Sequence, residues 1–281
     1  MTQSDIRLCA ITDETGPHLD DFLTFATDEG LDCVEVRQID GLNPLSLSPA
    51  QLADAARRIR AAGLPVAGLA TPLFKWPPPG QSSAALGDQF GFDRAGRSDT
   101  QLFEDAIRVA DAFGTRHLRI FSYLTYDGFV LDDLRRGYAG LLELAERHDK
   151  VLRLENEPVC NIARIGQLAD LLDAFDTPRL EGIPDMANAY HDGERPAAAD
   201  IRRVMRQSSH IHIKDFSLAR HRCVPLGEGD VPTAEYLSEM LAAAPDKPLT
   251  LSIETHVPEA RLAATRQSLA ELRRIVSALP H

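Results

Sequence analysis

The sequence is poor in cysteine: Cys9, Cys33, Cys160 and Cys223 are the four in 281 residues, far apart and without a Cys-x-x-Cys pairing. That excludes a disulfide scaffold and a zinc knuckle, and it suits a reducing cytoplasm. Basic charge is also short, with 30 Lys and Arg against 42 Asp and Glu, a formal charge of -12 and no dense Lys/Arg block. Such a chain repels phosphate backbones and anionic lipid, so neither nucleic acid nor a membrane surface is expected as a partner. Long uncharged apolar stretches are missing too, and the start, MTQSDIRLCAITDE, has acidic residues where a signal peptide needs a basic flank and an apolar run. An unprocessed cytoplasmic protein with a small-molecule substrate is expected, and a homo-oligomer is left open.

What the chain does have is repetition. Short apolar runs recur at 6–12, 33–38, 65–71, 117–123, 151–157, 180–186, 210–216 and 249–256, and each is followed by a segment with helical spacing. Gly30, Gly63 and Gly114 stand at expected helix C-termini, and Ser48 before Pro49 reads as an N-cap. Alternation of this kind predicts a parallel sheet, and eight repeats in 281 residues predict a single-domain α/β fold, a closed (β/α)₈ TIM barrel spanning 1–281. An open doubly wound sheet would want a Gly-rich phosphate loop after the first strand, and ITDETGPH has no G-x-G-x-x-G. Residues 74–99, rich in Pro, Gly and Ser, are too long for an ordinary connection and are expected to form an insert at the catalytic rim.

The polar residues of each run share one parity. Cys33, Glu35 and Arg37 do so on the second strand, His117 and Arg119 on the fourth, Arg153, Glu155 and Glu157 on the fifth. Asp185 closes the sixth; His210, His212 and Lys214 line the seventh; Ser252, Glu254 and His256 line the eighth. A barrel interior is ordinarily filled by branched apolar side chains, and a buried carboxylate costs several kcal/mol unless it is paired or metal-bound. Arg37, Arg119 and Lys214 could compensate as plain salt bridges. The alternative is a divalent cation held by Glu155, Asp185, His212 and Glu254, each at or near the C-terminal end of its strand. Three carboxylates and one imidazole suit Mn²⁺ first, or Mg²⁺, with Co²⁺, Fe²⁺ or Zn²⁺ as further choices. His210 would then lie behind the ligands, as would Glu35 and His256.

In this order the motifs GLDCVEVR, ATPLFKW, RLENE, IPDMANAY, HIHIKDF, PLGEGDVP and LSIETH resemble the xylose isomerase-like TIM barrels, a superfamily of sugar phosphate isomerases and epimerases. The resemblance covers nearly the whole chain. In relatives such as D-tagatose 3-epimerase the Glu, Asp, His and Glu of strands five to eight bind one divalent metal, which matches Glu155, Asp185, His212 and Glu254. Many relatives also carry a His three residues after the strand-six Asp. This chain has Asn188, which can bond a substrate hydroxyl but cannot titrate near neutrality. The DNA-repair relative endonuclease IV needs extra His ligands for its three zincs, and strands ending ATPLF and RIFSY do not provide them.

The resemblance implies an isomerase or epimerase of a ketose, keto-sugar or cyclitol ketone that works through an enediolate, with Glu155 and Glu254 as the acid/base pair. Arg37, Arg119, Asn188 and Lys214 would contact substrate oxygens, with Lys75, Trp76 and Glu157 at the rim. Trp76 reads equally as an anchor of the Pro-rich segment. The same apparatus serves β-elimination, so a dehydratase of the inosose or 3-dehydroshikimate type is the alternative reaction. A barrel that only stores a metal is the non-catalytic alternative.

Overall fold

The computed structural model describes residues 6–244 and 246–279. Eight parallel strands make the barrel wall: β1 (Ile6–Ile11), β2 (Cys33–Val36), β3 (Val66–Leu69), β4 (His117–Ile120), β5 (Val151–Glu155), β6 (Leu180–Ile183), β7 (His210–Ile213) and β10 (Leu249–Ile253). After β7, β8 (Asp215–Ser217) and β9 (Arg222–Val224) form a separate antiparallel hairpin. The hydrogen-bonded order is β6-β5-β4-β3-β2-β1-β10-β7. Between β6 and β7 the ring is completed by a bridge of Asp185 with His212 and by a 2.9 Å bond from the Gly182 N–H to the Gln207 carbonyl. The helices are α1 (Leu19–Asp28), α2 (Pro49–Ala61), α3 (Asp99–Phe113), α4 (Leu131–Arg147), α5 (Ile165–Phe175), α6 (Met186–His191), α7 (Ala198–Met205), α8 (Thr233–Ala243) and α9 (Arg261–Ala278).

Local chemistry explains where the helices start and stop. Ser48 and Ser98 open α2 and α3 as capping boxes with Gln51 and Gln101, each cap contributing about 1 kcal/mol. Gly63 and Gly114 follow the same two helices at φ of 72° and 70°, a backbone region that resists a Cβ. The apolar faces of the helices, such as Leu134, Tyr138, Leu141 and Ala145 on α4, recur at helical spacing and are buried against the barrel.

Two apolar runs overstate their strands. The run 180–186 ends as a strand at Ile183, and Asp185 then caps α6, its Oδ1 accepting the Asn188 N–H at 2.9 Å. The run 210–216 ends in the barrel at Ile213, and Asp215, Phe216 and Ser217 turn away to pair with Val224, Cys223 and Arg222. The eight expected helices thus become nine among the described residues.

The parity is the one expected for a polar interior. Val34, Val36, Leu118, Ile120, Leu152, Leu154, Ile211, Ile213, Leu251 and Ile253 are buried in the apolar core. The alternate residues Glu35, Arg119, Glu155, His210, His212, Ser252 and Glu254 are equally buried but bond to one another.

Asp215 ties down the chain beyond β7. Its carboxylate accepts the N–H groups of Phe216, Gly227, Gly229 and Val231 at 2.8, 2.9, 2.9 and 3.2 Å. A Cβ on Gly229 would lie 2.2 Å from Asp215 Oδ1 and 2.7 Å from the Phe216 carbonyl oxygen, so this glycine answers a close approach rather than a turn. Gly229→Ala is expected to destabilise the protein by about 1–3 kcal/mol, the range for overpacking. The readout is a lower denaturant midpoint; an unchanged one would show that the loop yields without cost.

Candidate functional site

The strand ends converge on four side chains. Glu155 is the last residue of β5, Asp185 caps α6 just past β6, His212 lies in β7 and Glu254 follows β10. One potential ligand atom from each lies within 4.8 Å of the others, and all four residues are buried. His212 Nδ1 stands 3.1 Å from Glu155 Oε1 and 3.2 Å from Glu254 Oε2, while its Nε2 stands 3.1 Å from Glu35 Oε2. Both ring nitrogens face carboxylates; with a cation at Nδ1, Nε2–H would donate to Glu35, as to a second carboxylate behind a metal-binding histidine. His210 Nε2 reaches the same Glu35 oxygen at 2.8 Å, and Ser252 donates to it at 2.6 Å.

The charges do not balance without a further cation. Asp13, Glu14, Glu35, Glu155, Asp185 and Glu254 are buried together, and the permanent cations facing them are Arg37, Arg119 and Lys214. Three formal negative charges are left over, and a proton on His212 removes one of them. Burial opposes that proton, but Glu155, Glu35 and Glu254 hold the His212 pKa well above the ordinary histidine range. Burial likewise works against ionised Glu155, yet His212 and Arg119 bring its pKa down to about 2 despite repulsion from Glu254. Burial raises Asp185 above the ordinary carboxylate range, with Lys214 opposing.

Lys214 Nζ lies 3.0 Å from Asp185 Oδ2 and 2.8 Å from Glu254 Oε2, close enough to pair charge, but neither oxygen receives a directed hydrogen bond. Two buried carboxylate oxygens without a bonded partner, an imidazole nitrogen set between two carboxylates and an excess of negative charge are what a divalent cation would satisfy. The residues fit such an ion.

A second acidic group, Glu14, Glu254 and His256, already contains a cation. Arg37 donates to Asp13 at 2.9 and 3.0 Å, to Glu14 at 2.6 Å and to Glu254 at 2.6 Å, and its Nη1 is 3.1 Å from His256 Nε2. Asp13 and Glu14, directly after β1, are missing from the sequence-derived set. The criterion applied elsewhere, carboxylates at the C-terminal end of a strand, would have found them.

The remaining predicted residues fall into place around this centre. Arg119 donates to Glu155 at 2.9 Å and to the Thr71 and Ala70 carbonyls at 3.3 and 3.1 Å. Asn188 bridges Glu155 Oε1 and Lys214, at 3.2 Å each. Lys75 pairs with Glu157 at 3.1 Å, and its ammonium lies over the Phe121 ring at 4.7 Å. The structure seats Trp76 as an anchor of the insert: it donates to Asp99 at 3.0 Å, packs on Phe74 and Phe92, and is stacked by Arg94. The residue of the insert that reaches the centre is Phe90, whose ring lies 4.6 Å from the Arg37 guanidinium and 5.6 Å from that of Arg119. Sequence reasoning did not single it out, because nothing in GDQFGFDR shows which of its two phenylalanines turns inward.

A search among curated proteins gave no match. Among solved structures the fold is similar to the IolI protein with a zinc atom, at 18% identity, a TM-score of 0.76 and coverage of 96% of this chain and 98% of that one. It is similar to L-ribulose 3-epimerase at 17% identity, TM-score 0.71 and coverage of 97% and 95%. It is also similar to the probable 3-DHS dehydratase AsbF of petrobactin synthesis from Bacillus anthracis, at 17% identity, TM-score 0.69 and coverage of 95% and 98%. Among the described residues no helix is long and apolar enough to cross a membrane. The profile that describes the xylose isomerase-like TIM barrel matches residues 23–275, nine-tenths of the sequence, and the chain belongs to that family.

Proposed function

We propose that the protein is a divalent-metal-dependent isomerase or epimerase of a ketose, keto-sugar or cyclitol ketone, acting in the cytoplasm, a reading its free cysteines support. The observation that carries this reading is the pair Glu155 and Glu254, both held ionised and both within 3.2 Å of the same His212 nitrogen. Two carboxylates directed at one point from parts of the wall separated by β6 and β7 can serve two faces of a substrate held between them. One of them, Glu155 or Glu254, takes the proton from the carbon beside the ketone, leaving an enediolate; the other returns a proton. Arg119 and Lys214 lie where they can donate to the enediolate oxygens. Mn²⁺ is the first choice for the oxygen-rich ligand set, and a bound cation supplies Lewis-acid polarisation of the ketone.

The test is wash-in of solvent deuterium into a panel of ketoses and inososes, with and without chelation. Metal-dependent exchange without loss of water is expected. Loss of water would make the protein a dehydratase, with Lys214 placed to protonate a departing hydroxide. Bound metal with no exchange into any ketone would leave a storage barrel.

Asp185→Ala is expected to abolish stoichiometric metal while the barrel stays folded, since it deletes one ligand of four and leaves Lys214 paired with Glu254. Metal analysis and circular dichroism of the purified variant check both halves. Full metal content would remove Asp185 from the ligand set.

A further inference from the structure

Beside the centre of Glu155, Asp185, His212 and Glu254 lies a cavity of about 240 Å³, walled by the insert on one side and by the segment after β10 on the other. Phe90 and Asp88 come from the insert, His256 and Arg261 from the opposite wall, Asp13 and Gln38 from the ends of β1 and β2. The space is far larger than a single water needs and is on the scale of a sugar ring. The Phe90 ring is held in place: its backbone has φ 51°, unusual for a bulky residue, and its N–H is bonded by Asp88 Oδ1 at 2.7 Å. Arg37 and Arg119 sit against this ring, so it joins the cavity to the site of chemistry.

The cations around this space are already engaged. Arg37 answers three carboxylates, Arg119 answers Glu155 and two carbonyls, Lys214 lies between Asp185 and Glu254, and Lys75 pairs with Glu157. Arg261 has no carboxylate partner among the described residues and donates to the Asp13 carbonyl at 3.4 Å; Asp88, on the insert wall, has no ion pair either. A phosphate or carboxylate entering here would meet three carboxylates, Asp13, Glu14 and Asp88, against two guanidiniums, Arg37 and Arg261, a formal excess of one negative charge in the wall. Hydroxyl groups meet the same carboxylates as acceptors, and the aromatic face suits the C–H face of a sugar.

We propose that this cavity seats an uncharged polyhydroxy ketone, with Phe90 as its aromatic platform, and that the acidic walls reject phosphorylated and carboxylated counterparts. The inference rests on the proton-transfer reading above and narrows its substrate class. Calorimetric titration of the manganese-loaded protein, with free metal removed, tests it using xylitol and myo-inositol against their monophosphates. Saturable binding of at least one uncharged polyol is expected, with its monophosphate at least tenfold weaker. Asp88→Asn should narrow that gap, and Phe90→Ala should weaken the polyol about tenfold without loss of bound metal. The proposal is overturned by phosphates that bind as tightly as the polyols or more tightly, by affinity lost in Arg261→Ala for a phosphate alone, by polyol affinity unchanged in Phe90→Ala, or by no binding at all. Deuterium wash-in separates the two readings. Polyol binding without wash-in into any ketone would remove the enzyme and keep the cavity; wash-in confined to phosphorylated ketones would keep the enzyme and remove this substrate class.

Discussion

Glu155→Gln and Glu254→Gln are each expected to lose turnover by a factor of about 10² or more, beyond any loss explained by metal content. Glutamine keeps the shape and offers a carbonyl oxygen, but it cannot carry a proton. The two variants should differ in deuterium wash-in: each should exchange the substrate proton on the face served by its remaining glutamate, without completing the reaction. They should also differ in stability. Glu254 faces Arg37, Lys214, His212 and His256, with Arg119 at 3.6 Å, whereas Glu155 faces Arg119, Asn188 and His212. Neutralising Glu254 deprives three permanent cations of a partner and neutralising Glu155 one, so Glu254→Gln should be the less stable variant. Full turnover in either metal-loaded variant would remove that residue from the chemistry. Loss of all exchange in one variant alone would indicate a single base.

Arg37→Met is the second large effect, and it falls on folding. Methionine keeps much of the apolar volume but leaves Asp13, Glu14 and Glu254 facing one another without the guanidinium that touches all three. Removing one partner of a buried charge network costs about 3–5 kcal/mol, because the remaining charges stay desolvated. The pH dependence gives a second readout. Burial works to raise Glu14, and Arg37, joined by His256 and the Thr255 hydroxyl, holds the pKa below the ordinary glutamate value. In the parent, the stability from Glu14 is therefore present above the unfolded-state pKa and is lost as pH falls through the folded one. In the variant burial dominates, so the folded pKa rises and acidification relieves the strain. The stability gap between parent and Arg37→Met should thus be widest near neutrality and shrink toward pH 4. Chemical denaturation of both proteins after chelation checks this; a loss under about 1 kcal/mol would place Arg37 with surface ion pairs.

Much of this architecture was legible because it rests on period. Two-residue alternation marked the strands and their inward face, and the four convergent residues followed from asking what sits at each strand's end. The same reliance on period explains the errors. HIHIKDF alternates without a break, so nothing in it shows the chain leaving the barrel after Ile213; the departure is driven by Asp215, whose partners lie up to 16 residues away. The six residues of α6 are too few for a helical pattern, and the side chain that starts it is Asp185, already assigned to the centre. The engagement of Arg37 by three carboxylates went unread because those partners follow β1 and β10, one of them 217 positions along the chain. Pairings across a barrel leave no local trace.

The bridge between Asp185 and His212 has a meaning beyond chemistry. Most neighbouring strands of the wall pair in ladders, and β3 meets β4 within the sheet at Leu69 and Leu118; β6 and β7 form no ladder and meet chiefly at this point, and the two residues that meet there are two of the four that would grip an ion. The barrel's thinnest join is therefore also its clasp. An ion fastened there would draw the first and last staves of the wall together, so that loading and chelation should alter amide-proton protection along β6 and β7 while the far side of the ring stays as it was.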